Sequence, residues 1–326
     1  MSDALVDGYD LVIFDLDGVV YLGDQPVPGA PEALARLRER GTPRAYATNN
    51  ASRRAPDVAA LLTTVGVPAE AGEVTTSAQA SAAVLSRRLP AGSPVLVVGA
   101  PALHEEIADV GLRPVHRAAE EPVAVVQGFG PKVGWEQLAE ASVAIAAGAI
   151  WVATNADRTL PTPRGPVPGN GSLVAALATA LGRRPDVVVG KPEPTLFEQI
   201  VKVRGAKRAL VVGDRIDTDI EGAHRAGMDS LLVLTGVSRA EDVLHTPPPH
   251  RPTYLAADLG GLFQPADEVR VPPKESTWRF SDGRLSGSGD PVAALRVLAG
   301  ASTLDGPPAA DGPDAERALR ALGLTS

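Results

Sequence analysis

The sequence predicts an α/β protein, with a parallel-sheet domain that carries a second α/β domain in one of its loops and a short appendage at the C-terminal end. Three observations predict it. Short β-branched runs alternate with helical stretches over roughly the first 260 residues, the pattern of strand, helix, strand units whose sheet is covered on both faces. Polar clusters close three of the apolar runs, and ligands of open α/β sheets collect at such strand ends. Two Pro/Gly-bearing breaks, LPAGSP and GRRPD, bracket about 100 residues with strands and helices of their own. With 326 residues, and roughly 150 per domain, two folded domains is the expected scale.

The elements follow in chain order. Leu11 to Phe14 is an apolar run ending in carboxylates. After the turn-rich GDQPVPG segment, Pro31 to Arg40 has the leucine spacing of an amphipathic helix stopped by Gly41. Pro43 to Ala47 reads as a second strand ending at Thr48, and Asp57 to Val65 as a helix stopped by Gly66. The insert, roughly Pro90 to Pro185, holds strands at Val95 to Val98, Val123 to Gln127 and Ala149 to Ala153, and Asn170 and Gly171 look like a helix start. Ala209 to Val212 is closed by GDRIDTD, with a helix following to Ala226 and a further run at Ser230 to Leu234. Beyond Gly260 the segments PPK, SGSG and DGPPAADGP break the chain into short pieces, of which only Val292 to Leu298 and Glu316 to Leu322 look helical, so the tail reads as weakly specified. The expected domains are 1–89 with 186–262, the insert 90–185, and the appendage 263–326.

Composition excludes several classes. The hydrophobic fraction of 44% and charged fraction of 21% are ordinary for globular chains and rule out wholesale disorder. A net charge of −8 opposes the basic balance of a nucleic-acid binder. The absence of cysteine removes disulfides, thiolate metal sites and cysteine nucleophiles. The acidic start MSDALVDGYD lacks the basic and apolar regions of a signal peptide, so the cytoplasm is the expected location. The longest apolar stretch, Val143 to Ala153, is eleven residues, short of the roughly 18 needed to span a bilayer.

The strand-end clusters carry the chemistry. Asp15 and Asp17 sit two apart in DLDG; like charges this close resist joint ionisation, so a cation neutralises them or one carboxyl keeps its proton. In phosphoryl transfer one such carboxylate attacks phosphorus, and the other gives a proton to the leaving oxygen and later takes one from water. Thr48, Asn49 and Asn50 offer hydroxyl, amide and backbone N–H donors for a phosphate. Lys191, in GKP, is one of only five lysines, and its compact ammonium suits contact with a carboxylate and a phosphate oxygen. Asp214, Asp217 and Asp219 crowd one loop, where a hard divalent cation finds oxygen ligands.

Taken in order, Asp15-Leu16-Asp17-Gly18, Thr48-Asn49-Asn50, Gly190-Lys191-Pro192 and Gly213-Asp214-Arg215-Ile216-Asp217-Thr218-Asp219 resemble the four motifs of the haloacid-dehalogenase-like phosphohydrolases. Only 33 residues separate Asp15 from Thr48, whereas 141 separate Asn50 from Lys191, which leaves room for a cap. That placement, with ATNAD and PGNGSLVAAL inside the insert, is similar to the NagD-like, type IIA cap subgroup. The overall run, including TNNASR, TSAQ, NADRTLPT and GDRIDTDIEGA, most resembles actinobacterial glycerol-3-phosphate phosphatases. The tail of those relatives is acetyltransferase-like, and residues 266–326 are too short for a complete version.

The resemblance implies a Rossmann-like core, an inserted α/β cap and a Mg²⁺-dependent phosphatase of glycerophospholipid metabolism. It makes Asp15 the nucleophile that becomes an aspartyl phosphate and Asp17 the general acid and base. Mg²⁺ is held by the Asp15 carboxylate, the Asp17 backbone carbonyl and the Asp214 carboxylate, with Asp219 orienting metal waters or Lys191. Thr48, Asn49, Asn50 and Lys191 bind the phosphoryl group, whose transition-state charge such donors stabilise. In the cap, the loop Asn155 to Leu160 reaches over the leaving group. It carries Asp157, Arg158 and Leu160 but no ring to stack on an aromatic substrate, which favours a small polyol or acid phosphate; equally, Asn155 and Asp157 can serve to brace the loop and Arg158 to face solvent. Glycerol 3-phosphate is the expected substrate, with phosphoglycolate, 4-nitrophenyl phosphate, pyridoxal phosphate and nucleotides as alternatives, and a homodimer through the cap is expected.

Other classes fit less well. A non-catalytic phosphate sensor has little need for both an attacking carboxylate and a proton donor, and a single-domain receiver leaves the insert unexplained. Pro192 occupies the Ser/Thr position of a Walker loop, and GNGS lacks the third glycine of a dinucleotide fingerprint.

Overall fold

The structure is a computed structural model that describes residues 4–160, 164–301 and 306–325. By packing it divides into two compact units, Met1–Ala45 with Arg204–Ser326, and Tyr46–Val203.

The first unit is built on parallel strands ordered Tyr254–Ala256, Asp229–Val233, Ala209–Gly213 and Leu11–Phe14. Each is buried on both faces, which is why the strands read as continuous Val/Leu/Ile runs without alternation. Register pairs Leu11 with Ala209 and Phe14 with Val212, so Asp15 and Asp214 leave the same edge of the sheet. The helix Ala30–Glu39 turns Ala33, Leu34 and Leu37 inward, as its leucine spacing predicts. The helix expected after the GDRIDTD loop is divided: a π-helical turn, Ile216–Ile220, precedes the short α-helix Glu221–Arg225. The strand Tyr254–Ala256, which the sequence does not mark, is anchored by Tyr9, whose hydroxyl donates to Asp229 Oδ2 at 2.7 Å and accepts from the Tyr254 hydroxyl at 3.1 Å. Burial pushes the Tyr9 phenol well above its ordinary range, so it remains a donor.

The tail is better specified than its composition predicts. Asp282 and Gly283, with φ of 50° and 74°, form the two-residue turn of a hairpin between Arg279–Ser281 and Arg284–Ser286. Ala309–Asp311 adds a parallel third strand. Asp290 caps the helix Pro291–Ala299 by accepting from Val292 and Ala293 N–H. One face of that helix meets Trp278, Leu285, Ala315 and Leu319, while Val292, Leu295 and Ala299 pack onto Ile220, Leu232 and Leu255 of the parallel-sheet layer. The buried Arg296 joins the two, donating to Leu255 O at 2.7 Å and Glu268 O at 3.1 Å. Gly- and Pro-rich loops conceal this order because they sit at turns between elements that find their apolar partners elsewhere in the chain.

In the second unit, Tyr46, Ala47 and Thr48 pair in parallel with the strand Val74–Thr76. Thr76 then opens the helix Ser77–Ser86 with a reciprocal cap: Gln79 N–H donates to Thr76 Oγ1, and Thr76 N–H to Gln79 Oε1. A five-stranded parallel sheet follows, ordered Val187–Val188, Ile150–Ala153, Ala124–Gln127, Pro94–Val98 and Arg113–Val115. The helices Trp135–Ala146 and Asn170–Leu181 cover it around Leu96, Val125, Ile145, Trp151 and Leu177.

This division falls at Ala45 and Val203, outside the expected insert, and part of the reason lies at Arg54. Its guanidinium grips Glu105 at 3.0 Å and Glu106 at 3.2 Å, and also Asp109, all on the helix Pro101–Asp109. Burial pushes the Glu106 carboxyl up, and Arg54 opposes that shift.

Candidate active site

The expected residues fall into two clusters, each within one unit. In the first, Asp15, Asp214 and Asp219 each offer a carboxylate oxygen within 4.8 Å of the others. Asp214 and Asp219 are buried and Asp15 is half-buried. Backbone geometry assembles them. Asp15 N–H donates to Val212 O at 2.9 Å, continuing the strand pairing past Phe14. The π-helical turn brings Asp219 back to its own loop, where Arg215 N–H donates to Asp219 Oδ2 at 3.1 Å. Val237 N–H donates to Asp214 Oδ2 at 2.7 Å, and Ser238 N–H to Asp214 O at 3.0 Å.

Two glycines admit the Asp214 carboxylate. A Cβ on Gly236 would lie 2.0 Å from Asp214 Oδ2, and one on Gly18, whose φ is +85°, would lie 2.4 Å from it. Gly18 is itself held through its carbonyl, which accepts from Thr235 Oγ1 at 2.6 Å. Asp17 is exposed and bridges to Tyr21 in the hairpin formed by Tyr21–Leu22 and Gln25–Pro26. Asp217 is turned away into a bidentate pair with Arg215 at 3.0 and 2.7 Å.

Three converging carboxylates, two of them buried, repel one another unless a cation lies among them. All-oxygen donors suit a hard divalent ion such as Mg²⁺, and the glycine-lined cradle fixes Asp214 for that task. The residues present therefore fit a divalent metal.

The second cluster centres on Asn49. Its Oδ1 accepts from Lys191 N–H at 2.8 Å, and its Nδ2 donates to Lys191 O at 3.0 Å. The same Nδ2 meets both Asp157 oxygens, at 3.2 and 3.1 Å. The Asn49 carbonyl accepts from Ser77 Oγ at 2.6 Å and from Asn155 Nδ2 at 2.7 Å. Lys191, only 3% exposed, directs Nζ to Ala47 O at 3.4 Å. Thr48 Oγ1 accepts from Asn50 N–H at 3.1 Å and so has its own proton to donate, while Asn50 Oδ1 closes a turn onto Ser52 N–H at 2.8 Å.

In the loop 155–160, Asn155 and Asp157 serve as braces, Arg158 is exposed and Leu160 half-buried in a two-residue strand against Val167–Pro168. Ser77, Thr235, Gly236 and Val237 were not singled out in the sequence. Ser77 lies in the TSAQ cap signature, which marks a helix start rather than a site, and Val237 contributes only its backbone N–H.

A family model for haloacid dehalogenase-like hydrolases matches residues 12–113, and a second, HAD-hydrolase-like model matches residues 188–262. The D-glycerol 3-phosphate phosphatase of Mycobacterium tuberculosis is 49% identical over 280 residues, which cover 86% of this chain and 78% of that protein. The crystal structure of a glycerol phosphate phosphatase from the same organism, in complex with magnesium, superposes with a TM-score of 0.93 at 44% identity, covering 99% of this chain and 100% of that one. A 4-nitrophenylphosphatase from Thermotoga maritima superposes with a TM-score of 0.74 at 33% identity, covering 79% and 97% of the two chains. On its motifs, its fold and these relationships, the chain belongs to the haloacid dehalogenase-like hydrolases.

Proposed function

We propose that the protein is a Mg²⁺-dependent phosphomonoester hydrolase that works through an aspartyl phosphate, with glycerol 3-phosphate as preferred substrate. The observation that carries this reading is the convergence of Asp15, Asp214 and Asp219 at one sheet edge. The 49% identity to a D-glycerol 3-phosphate phosphatase supports the substrate. So does a loop 155–160 without an aromatic ring.

An Asp15 carboxylate oxygen attacks phosphorus while the ester P–O bond breaks, and Asp17 gives its proton to the departing glycerol oxygen. Asp17, now ionised, takes a proton from water as that water attacks phosphorus, and cleavage of the aspartyl P–O bond releases phosphate. Exposure of Asp17 suits a group that exchanges protons with leaving group and solvent. The Asp15 and Asp214 carboxylates and the Asp17 carbonyl would hold Mg²⁺, with Asp219 orienting its water. Bound there, Mg²⁺ would offset the charge of the carboxylates and of the phosphoryl oxygens. Thr48, Lys191 and Asn50, with the backbone N–H of Asn49, supply the donors for the phosphoryl group.

The same reading assigns 1–89 with 186–262 to the catalytic core, 90–185 to a specificity cap that mediates a homodimer, and 263–326 to an appendage. It places the enzyme in the cytoplasm, without nucleic-acid partners or membrane insertion. No helix among the described residues is long and apolar enough to cross a membrane.

The test is phosphate release, with and without Mg²⁺, across glycerol 3-phosphate, phosphoglycolate, pyridoxal phosphate, 4-nitrophenyl phosphate, nucleotides and sugar phosphates. Mg²⁺-dependent release with glycerol 3-phosphate ranked first is expected. A low rank for glycerol 3-phosphate removes the substrate assignment and leaves the phosphatase; metal-independent release removes the mechanism.

A further inference from the structure

We propose that Asn49 is a positioning residue for Lys191, and that it couples the setting of that lysine to the loop carrying Asp157. The inference rests on the phosphatase reading and deepens it.

A carboxamide that binds a phosphoryl group must turn an N–H towards it. The Asn49 side chain is committed elsewhere. One N–H has Lys191 O as acceptor at 3.0 Å, and the other has the Asp157 carboxylate at 3.1 Å, while Oδ1 receives Lys191 N–H at 2.8 Å. The amide therefore pairs with both polar groups of the lysine's own backbone. Backbone polarity settles the orientation of the amide, because Lys191 N–H must meet an oxygen and Lys191 O must meet the NH₂ group.

The bracket is held from behind as well as in front. Ser77 Oγ and Asn155 Nδ2 fix the Asn49 main-chain carbonyl, and Asn155 Oδ1 in turn accepts from the N–H of Asp157, two residues on, at 3.2 Å. Gly190 is part of the same device: a Cβ there would lie 2.6 Å from both Asn49 Oδ1 and Thr154 O, so only glycine lets the amide reach the next residue.

The consequence concerns the lysine. An ammonium on a four-carbon stem acts as a point charge, and its value to a phosphoryl group depends on where its backbone places it. Asn49 sets that backbone directly. Asp157 sets Asn49, so a shift of the 155–160 loop is felt at Lys191 through two hydrogen-bonded contacts. On this reading Asp157 governs how fast esters are cleaved rather than which ester is chosen.

The experiment is steady-state phosphate release by the full-length protein at saturating Mg²⁺, with glycerol 3-phosphate and 4-nitrophenyl phosphate, on a double-mutant cycle of Asn49→Ala and Lys191→Ala. Asn49→Ala alone is expected to lower kcat about tenfold or more, with KM changed less than about twofold. In the Lys191→Ala background the same change is expected to cost less than about twofold. If the two losses multiply, Asn49 acts on substrate independently of Lys191 and the proposal is overturned. Asp157→Ala is expected to lower kcat for both esters by one factor, and Asp157→Asn, which keeps an acceptor oxygen for Asn49 Nδ2, to retain most of the rate. A changed ratio of kcat/KM between the two esters overturns the role given to the loop. Thermal melting accompanies each variant, and Asn49→Ser replaces Asn49→Ala in the cycle should the latter fail to fold. A Lys191→Ala variant as fast as the native protein would instead sink the assignment of Lys191 in the phosphatase mechanism, and this proposal with it.

Discussion

The carboxylate cluster and the Asn49 bracket sit at strand ends of the same kind but are built by opposite means. At the first, Asp15, Asp214 and Asp219 are brought within 4.8 Å by backbone N–H donors and glycine gaps, which leaves like charges facing one another. At the second, the neutral Asn49 side-chain amide is matched to a peptide group and a carboxylate, and two further donors hold the residue's main-chain carbonyl. Crowded charge makes a place that a cation completes, whereas matched hydrogen bonds make a place that is already rigid. Binding capacity comes from the first arrangement and positional accuracy from the second.

The largest break in this comparison is Asp15→Asn, which removes the attacking oxygen and one of the three charges. Phosphate release is expected to fall roughly a thousandfold or more with little change in melting temperature; release at the native rate would show that another group attacks phosphorus. Next comes the cation itself. Chelation by EDTA is expected to abolish activity and added Mg²⁺ to restore it, and Asp214→Asn to raise the Mg²⁺ concentration for half-maximal rate by roughly 10- to 100-fold. A Mg²⁺ titration unchanged from the native protein would remove Asp214 from the metal site.

Gly236→Ala separates geometry from charge, since it keeps every carboxylate but places a Cβ 2.0 Å from Asp214 Oδ2. A raised Mg²⁺ requirement and a stability loss of about 1–3 kcal/mol are expected in a denaturant titration. The smallest effect sharpens the other half. Ser77→Ala deletes one of two donors to the Asn49 carbonyl, with an expected cost of about 1 kcal/mol and less than a tenfold loss of kcat at an unaltered Mg²⁺ requirement. A shift in the Mg²⁺ titration of that variant would mean that the two halves are not independent in the way their construction implies.

Much of this architecture is legible in the chain. Leu11 to Phe14 and Ala209 to Val212 are short apolar runs closed by carboxylate-bearing segments, and strand ends follow from such boundaries. The four motifs are equally visible, because they are contiguous residues whose order and spacing survive without any structure. The hairpin at Asp282–Gly283 was legible as well, since Asp-Gly between short polar-apolar runs is a turn signal, but the surrounding Gly and Pro obscured it. Other features leave no such mark. Val237 serves Asp214 through its peptide N–H, which every residue but proline possesses. Asp219 reads as a residue beside the metal site, and only the π-helical turn at 216–220 brings its carboxylate into the cluster.

By itself, then, the sequence determined the α/β class, the strand ends and the residue types available there, because periodicity and turn chemistry act over a few residues. The tertiary structure decided which of those side chains are spent on one another. Asn49 and Lys191 are 142 positions apart and Asn49 and Asp157 are 108 apart. A hydrogen bond saturates, so an amide committed to a partner that distant in the chain has no N–H left for a ligand, and only folding settles that allocation.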